Sequence, residues 1–214
     1  MNGMRLAASA CAIALLAGCG QSATTSIESS ADPGSSATPI KAEEIDSLLL
    51  PDADLESIGI SYERQPSETK LPGWSGMDDP SNPCQQSEWV EALQPWAAFR
   101  MVQSRGPSNF GITQTLAVYP NPQAAQATFK KYTDLATACK AHASGETYTT
   151  TSPTEVAWSL PTRNEVGENT GNLAAWTIRV VDNLVIDVSS ARRRDGVATV
   201  AKIADKIVAK ATLT

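Results

Sequence analysis

Two β-rich runs, Leu173 to Val181 and Leu184 to Ser189, stand on either side of the dipeptide Asp182-Asn183. Asp and Asn accept left-handed backbone angles at low cost, so a two-residue link of this kind predicts an antiparallel hairpin whose register the turn fixes. A lone hairpin is marginal in water and needs further strands or a helix against a face. The surrounding sequence supplies both. Ile112 to Tyr119, stopped by Pro120, reads as a strong strand, and Trp96 to Gln103 as a second. Thr147 to Thr151 and Val156 to Leu160 read as short strands split by Pro153, and Arg163 to Asn172 as a polar loop with two glycines.

Helical signals bracket this meander. Asn121-Pro122 offers an N-cap and a first-turn proline, and Ala125, Phe129, Tyr132, Ala136 and Cys139 then recur at steps of three and four, predicting a helix over Pro122 to His142. After Asp195-Gly196, the stripe Val197, Val200, Ala201, Ala204, Ile207, Val208 and Ala211 predicts a last amphipathic helix. Lys41 to Leu50 and Asp52 to Ile58 read as two short helical units closed by Gly59, Ile60 to Arg64 as a possible strand start, and Gln85 to Gln94 as a helical stretch after the Pro/Gly-rich loop Leu71 to Pro83. The order implies one α+β domain, an antiparallel sheet packed by helices on one face.

The N-terminus belongs to no such core. Met1 to Arg5 carries one positive charge, and Leu6 to Ala17 is an uncharged small and aliphatic run of about 12 residues, short of the 20 or so that span a bilayer and typical of a signal peptide. It ends Leu16-Ala17-Gly18-Cys19, the pattern of a bacterial lipobox, whose cysteine is acylated and becomes the mature N-terminus. The succession of charge, apolar run, small residues and cysteine favours lipidation of Cys19 over an ordinary secretory peptide. Acyl chains contribute about 0.8 kcal/mol per buried methylene, enough to hold the chain at the extracytoplasmic face of the cell membrane. From Gly20 to Pro39 the chain is Ser/Thr-rich with one large apolar residue, Ile27, and reads as a disordered tether that suits O-glycosylation. The expected organisation is thus a signal peptide over 1–18, a lipidated cysteine and tether over 19–39, and a domain over 40–214.

Export settles the cysteines. Cys11 leaves with the signal peptide and Cys19 takes lipid, so Cys84 and Cys139 remain in an oxidising compartment and are expected to pair. They lie 55 residues apart, and closing such a loop in the unfolded chain is worth about 4 kcal/mol on the chain-entropy model. Loss of Arg5 moves the net charge from −6 to −7. That acidity excludes nucleic acid as a partner and argues against adhesion to anionic headgroups.

Three stretches resemble a known family. Leu48-Leu49-Leu50-Pro51 comes first, then Gln114-Thr-Leu-Ala-Val-Tyr119-Pro120 leading into the helix from Ala124 to Cys139. Val181-Asp182-Asn183-Leu184-Val185-Ile186-Asp187-Val188 follows, ahead of an Ala/Ile/Val-rich last helix. In order and spacing, from about Ile45 to Ala211, they resemble the PknH-like extracellular (sensor) domain, found outside the membrane on a mycobacterial Ser/Thr receptor kinase and on many actinobacterial lipoproteins. The resemblance implies a central cleft that takes an extracellular ligand. Two family features are missing. A tryptophan common three residues before the helix cysteine is Ala136 here, and a second disulfide would fall at Ala174 and Ala191.

No catalytic constellation emerges. His-Glu-x-x-His, Cys-x-x-Cys and Gly-x-Ser-x-Gly are absent, His142 reads as a helix C-terminal cation, and Asp78-Asp79 and Glu43/Glu44/Asp46 read as solvated faces. No enzyme, cofactor or metal site is expected. Of the five tryptophans, Trp89, Trp158 and Trp176 suit a core, whereas Trp74 sits in the loop Leu71-Pro-Gly-Trp-Ser-Gly as a candidate ligand contact. Trp96 and Arg100, placed on one strand face, are candidate cleft-lining residues. Arg192-Arg193-Arg194 is the one basic run in an acidic domain. The function these residues suggest is a membrane-anchored lipoprotein that binds an extracellular ligand without catalysis. The alternative is an interaction module that docks another envelope protein.

Overall fold

A computed structural model describes residues 38–59, 63–70, 95–106, 110–142, 147–163 and 169–213. The expected signal peptide, Cys19, most of the expected tether, the loop with Trp74, Asp78 and Asp79, Cys84 and the stretch Gln85 to Gln94 lie outside the described residues, as does the side chain of Cys139. Residues 36–214 form one compact unit.

Short N-terminal helical turns, a 3-10 turn at Ala42–Glu44, α1 at Ile45–Leu48 and α2 at Asp52–Glu56, precede β1 (Glu63–Arg64), β2 (Ala98–Arg105) and β3 (Gly111–Val118). Then come α3 (Pro122–His142), β4 (Thr147–Thr151), β5 (Glu155–Arg163), β6 (Asn169–Val181), β7 (Leu184–Arg193) and α4 (Gly196–Ala211). The strands make one seven-stranded sheet in the order β1-β2-β3-β7-β6-β5-β4, with every pairing antiparallel. Among the described residues no helix is long and apolar enough to cross a membrane.

The β6–β7 hairpin forms about the expected turn, with Val181 paired to Leu184 and Asp182 at a φ of 52°. Its arms run longer than the apolar pattern indicates. Asn169 to Asn172 and Arg163, expected in a loop, extend β6 and β5, with Arg163 paired to Asn169. On β6 and β7 the register slips between Leu173/Arg193 and Ala175/Ser190, so Ala174 faces two residues, Ala191 and Arg192, and Arg192 takes a φ of 57° to accommodate the extra residue.

Helices cover both faces of the sheet, which corrects the one-face expectation. On the first face the α1–α2 segment and α4 bury Ile45, Leu48, Leu50, Ile203 and Ile207 against Val102, Leu116, Leu184, Ile186 and Val188. On the second, α3 sets Ala125, Phe129, Tyr132 and Ala136 on Phe99, Ala117, Val185, Ile178 and Trp158. The physical reason is the alternation of β7: Leu184, Ile186 and Val188 point one way and Val185 the other, so a central strand apolar on both sides must be roofed twice. α3 begins as its sequence dictates, the Asn121 Oδ1 accepting from the Ala124 amide at 2.8 Å.

Polar side chains fasten these layers. The fully buried Gln114 of β3 accepts from the Leu50 amide at 2.9 Å and donates to the Leu50 carbonyl at 3.3 Å. Arg64 also donates to that carbonyl at 2.8 Å, and Lys210 of α4 donates to the Leu49 carbonyl at 3.1 Å. Leu48-Leu49-Leu50 is therefore a buried apolar plug whose backbone is clipped to β3 and α4. Asn183 does the same for Ile40, accepting from its amide and donating to its carbonyl, both at 2.9 Å, and donating to the Tyr119 carbonyl at 2.9 Å. Arg179 of β6 bridges Glu155 at 2.9 Å and Asp205 at 2.5 Å, tying α4 to the sheet. Gly196 opens α4 where it touches β7, since a Cβ there would meet the Ser190 Oγ at 2.9 Å and the Ala175 Cβ at 3.2 Å.

Candidate functional site

The α3 face of the sheet divides into two halves. At the end nearest the β3–α3 connection, Phe99, Ala117, Val185 and Val180 form a dry apolar floor beneath Ala125 and Phe129. At the other end, the strand registers lay out a different floor. Gln103 of β2 pairs with Thr113 of β3, Thr113 with Ser189 of β7, and Ser189 with Trp176 of β6. One step nearer the dry half, Thr115 pairs with Asp187.

Side chains on the middle strands of a covered sheet are normally buried and, if polar, hydrogen-bonded. Here Gln103, Thr113, Asp187, Ser189 and Trp176 all stay partly exposed. Thr113, Thr115, Asp187 and Ser189 make no side-chain hydrogen bond to a described residue. Among the described residues α3 roofs the apolar half, and the polar half over β3 and β7 keeps a strip of partly exposed side chains, the candidate groove. Trp176 walls it on one side, its ring stacked on Trp158 of β5 with centroids 5.6 Å apart and planes 10° from parallel.

Electrostatics at the groove's inner end are unusual. Burial without a compensating cation pushes the Asp187 carboxyl up to about 7. Tyr132 of α3 is held well above its ordinary value, first by burial, then by the nearby Asp187 charge and by Tyr119. Burial likewise raises Tyr119 to about 12, against a smaller opposing effect of its hydrogen bond with Thr128. A carboxyl that changes charge near neutral pH therefore sits at the boundary between the dry floor and the open one.

Of the residues singled out from sequence, Trp74 lies outside the described residues, and Trp96 and Arg100 fall elsewhere. Trp96 precedes β2 and packs on the α3 side against Phe99, with ring centroids 4.8 Å apart. Arg100 points to the opposite face, where Asp46 of α1 takes its guanidinium at 2.6 and 2.9 Å and the Phe99 carbonyl accepts at 2.8 Å. The two do not share a face, because Trp96 lies outside the strand and alternation carries no further than Ala98. Trp158 is core, as expected. Trp176, expected in the core with it, packs against that core and stays partly exposed. Asp187, Ser189 and Thr113 were not singled out. The available signal was a lone acid in the run Leu184 to Ser189, at the parity of Val185 rather than of Leu184 and Ile186. Arg192 and Arg194 are exposed and make no ion pair with a described residue, while Arg193 holds Asp195 at 2.8 and 2.9 Å and keeps its carboxyl below the usual range.

A family model described as the PknH-like extracellular domain matches residues 40–210. The fold is similar to the crystal structure of the extracellular domain of PknH from Mycobacterium tuberculosis, with a TM-score of 0.60 and 18% sequence identity, over 83% of this chain and 100% of that one. No curated protein matches the sequence.

Proposed function

The chain belongs to the PknH-like extracellular domain family, and on that premise we propose a non-catalytic, sensor-like domain that takes an extracellular ligand in the groove over β3 and β7 and is anchored to the outer face of the cell membrane by lipid on Cys19. The observation that carries the ligand reading is the set of four polar side chains, Thr113, Thr115, Asp187 and Ser189, gathered on two central strands without hydrogen-bond partners among the described residues. Groups that solvent still reaches can exchange water for the polar groups of a ligand at little cost. An extracytoplasmic location fits both the family and the leader. The Cys84 to Cys139 bridge is proposed with it, tying α3, which carries Cys139, to the segment ahead of β2.

Access is the first test. In the full-length chain, Ser189→Cys is expected to react with a small thiol reagent under native conditions, with the modified residue located by peptide mass mapping. Reaction only after unfolding would remove the groove as a site. The anchor is tested in cells, where a fatty-acid analogue is expected to label the chain and Cys19→Ser to abolish both the label and membrane retention. Persistent labelling of Cys19→Ser would refute lipidation at that residue.

A further inference from the structure

We propose that the groove takes a neutral carbohydrate, with one sugar ring lying against Trp176; this rests on the groove being the ligand site. Trp158 covers one face of the Trp176 ring. On the other side the register neighbour is Ser189, too small to cover an indole, and beyond it stands Thr113. An aromatic face therefore looks across a floor of hydroxyl groups toward the Gln103 carboxamide. Sugar rings present an apolar C–H face that packs on such a surface and a rim of hydroxyls that each donate and accept.

The floor matches that rim in kind. Thr113, Thr115 and Ser189 hydroxyls and the Gln103 amide both donate and accept, and the Asp187 carboxylate accepts. An anion is disfavoured, since the floor itself contains the Asp187 carboxylate and the cation at its edge, Arg105 of β2, already donates to the Gln103 Oε1 at 3.5 Å. A quaternary ammonium would suit Trp176 and Asp187 but leave three hydroxyls without partners. A site built to hydrogen-bond hydroxyls discriminates strongly against ligands that lack them.

The full-length chain is to be probed on an array of neutral mono- to tetrasaccharides, with tetramethylammonium and inorganic phosphate titrated in parallel by thermal shift. Capture of at least one neutral glycan is expected, weakened tenfold or more by Trp176→Ala and severalfold by Thr113→Val or Ser189→Ala. Trp176→Phe, which preserves the stack on Trp158 and the fold, is expected to retain most of the binding. Failure to capture any glycan overturns the carbohydrate assignment. Should tetramethylammonium or phosphate then stabilise the chain in a manner lost in Trp176→Ala, the groove stands and only the sugar class falls. Glycan capture unchanged in both Trp176→Ala and Ser189→Phe overturns the groove and the sugar assignment together.

Discussion

Asn183→Ala is expected to lower stability by about 3 kcal/mol, the largest loss from a single polar truncation in this fold. The substitution leaves the Ile40 amide, the Ile40 carbonyl and the Tyr119 carbonyl without their side-chain partner, and Ile40 and Tyr119 are 5% and 1% exposed. Water cannot reach these groups to replace the amide. At roughly 2–4 °C per kcal/mol for a domain of this size, the melting temperature should fall by about 6–12 °C. Asn183→Asp should fare little better, because its carboxylate can accept from Ile40 but faces two carbonyl oxygens. Hydrogen exchange gives the local readout: residues 40–50 should lose protection before the sheet does. A melting temperature within 2 °C of the parent for Asn183→Ala would show that this side chain does not bear the load assigned to it.

Asp187→Asn is expected to act in the opposite direction, and only above a certain pH. The folded carboxyl, pushed up to about 7, holds a proton between about pH 4 and 7 that the unfolded chain releases. Proton binding by the folded state alone stabilises the fold at the acid end, and that stabilisation is lost as pH climbs through 7. Above pH 7 the fold must contain a desolvated charge. Three units would correspond to about 4 kcal/mol, and partial exposure reduces this to about 2 kcal/mol. Asp187→Asn should therefore melt about 4–8 °C higher than the parent at pH 8 and at nearly the same temperature at pH 4. Melting curves across that range check it. A constant difference from pH 4 to 8 would mean that the effect is packing rather than charge. Asp187 thus costs the fold stability above neutral pH, as a group kept for a function commonly does.

The sequence carried the hairpin, α3 and α4 clearly, because each rests on local signals: a two-residue turn, an Asn-Pro helix start, and apolar stripes of three and four. Where long-range packing decides, it carried less. The double roof was encoded in the unbroken run Leu184-Val185-Ile186, yet adjacent apolar residues do not say which neighbour covers which side. The outer reaches of β5 and β6 were hidden by polar residues and glycines that suit a loop equally well and pair only because the opposing arm is there. Gln114 and Asn183 look like an ordinary strand residue and a turn residue until the N-terminal segment lies against them. The groove was illegible for a related reason. It consists of Thr113, Ser189 and Trp176 from three strands, and only the registers of β3, β7 and β6 make them neighbours.

The two carboxamide clips also define how the domain would carry tension. Any pull transmitted along the chain from its N-terminal side enters the described fold at Ile40, and the first bonds to resist it are those to Asn183, at the tip of the β6–β7 hairpin and beside the end of β3. The next are those of Gln114 to Leu50, near the middle of β3. Force would thus pass directly into the two central strands that floor the groove, bypassing the outer strands. Asn183 is in effect a mechanical fuse. Behind its few bonds stands the burial of Ile45, Leu48 and Leu50, which any release of the segment from Ile40 to Leu50 would expose on the first face of the sheet.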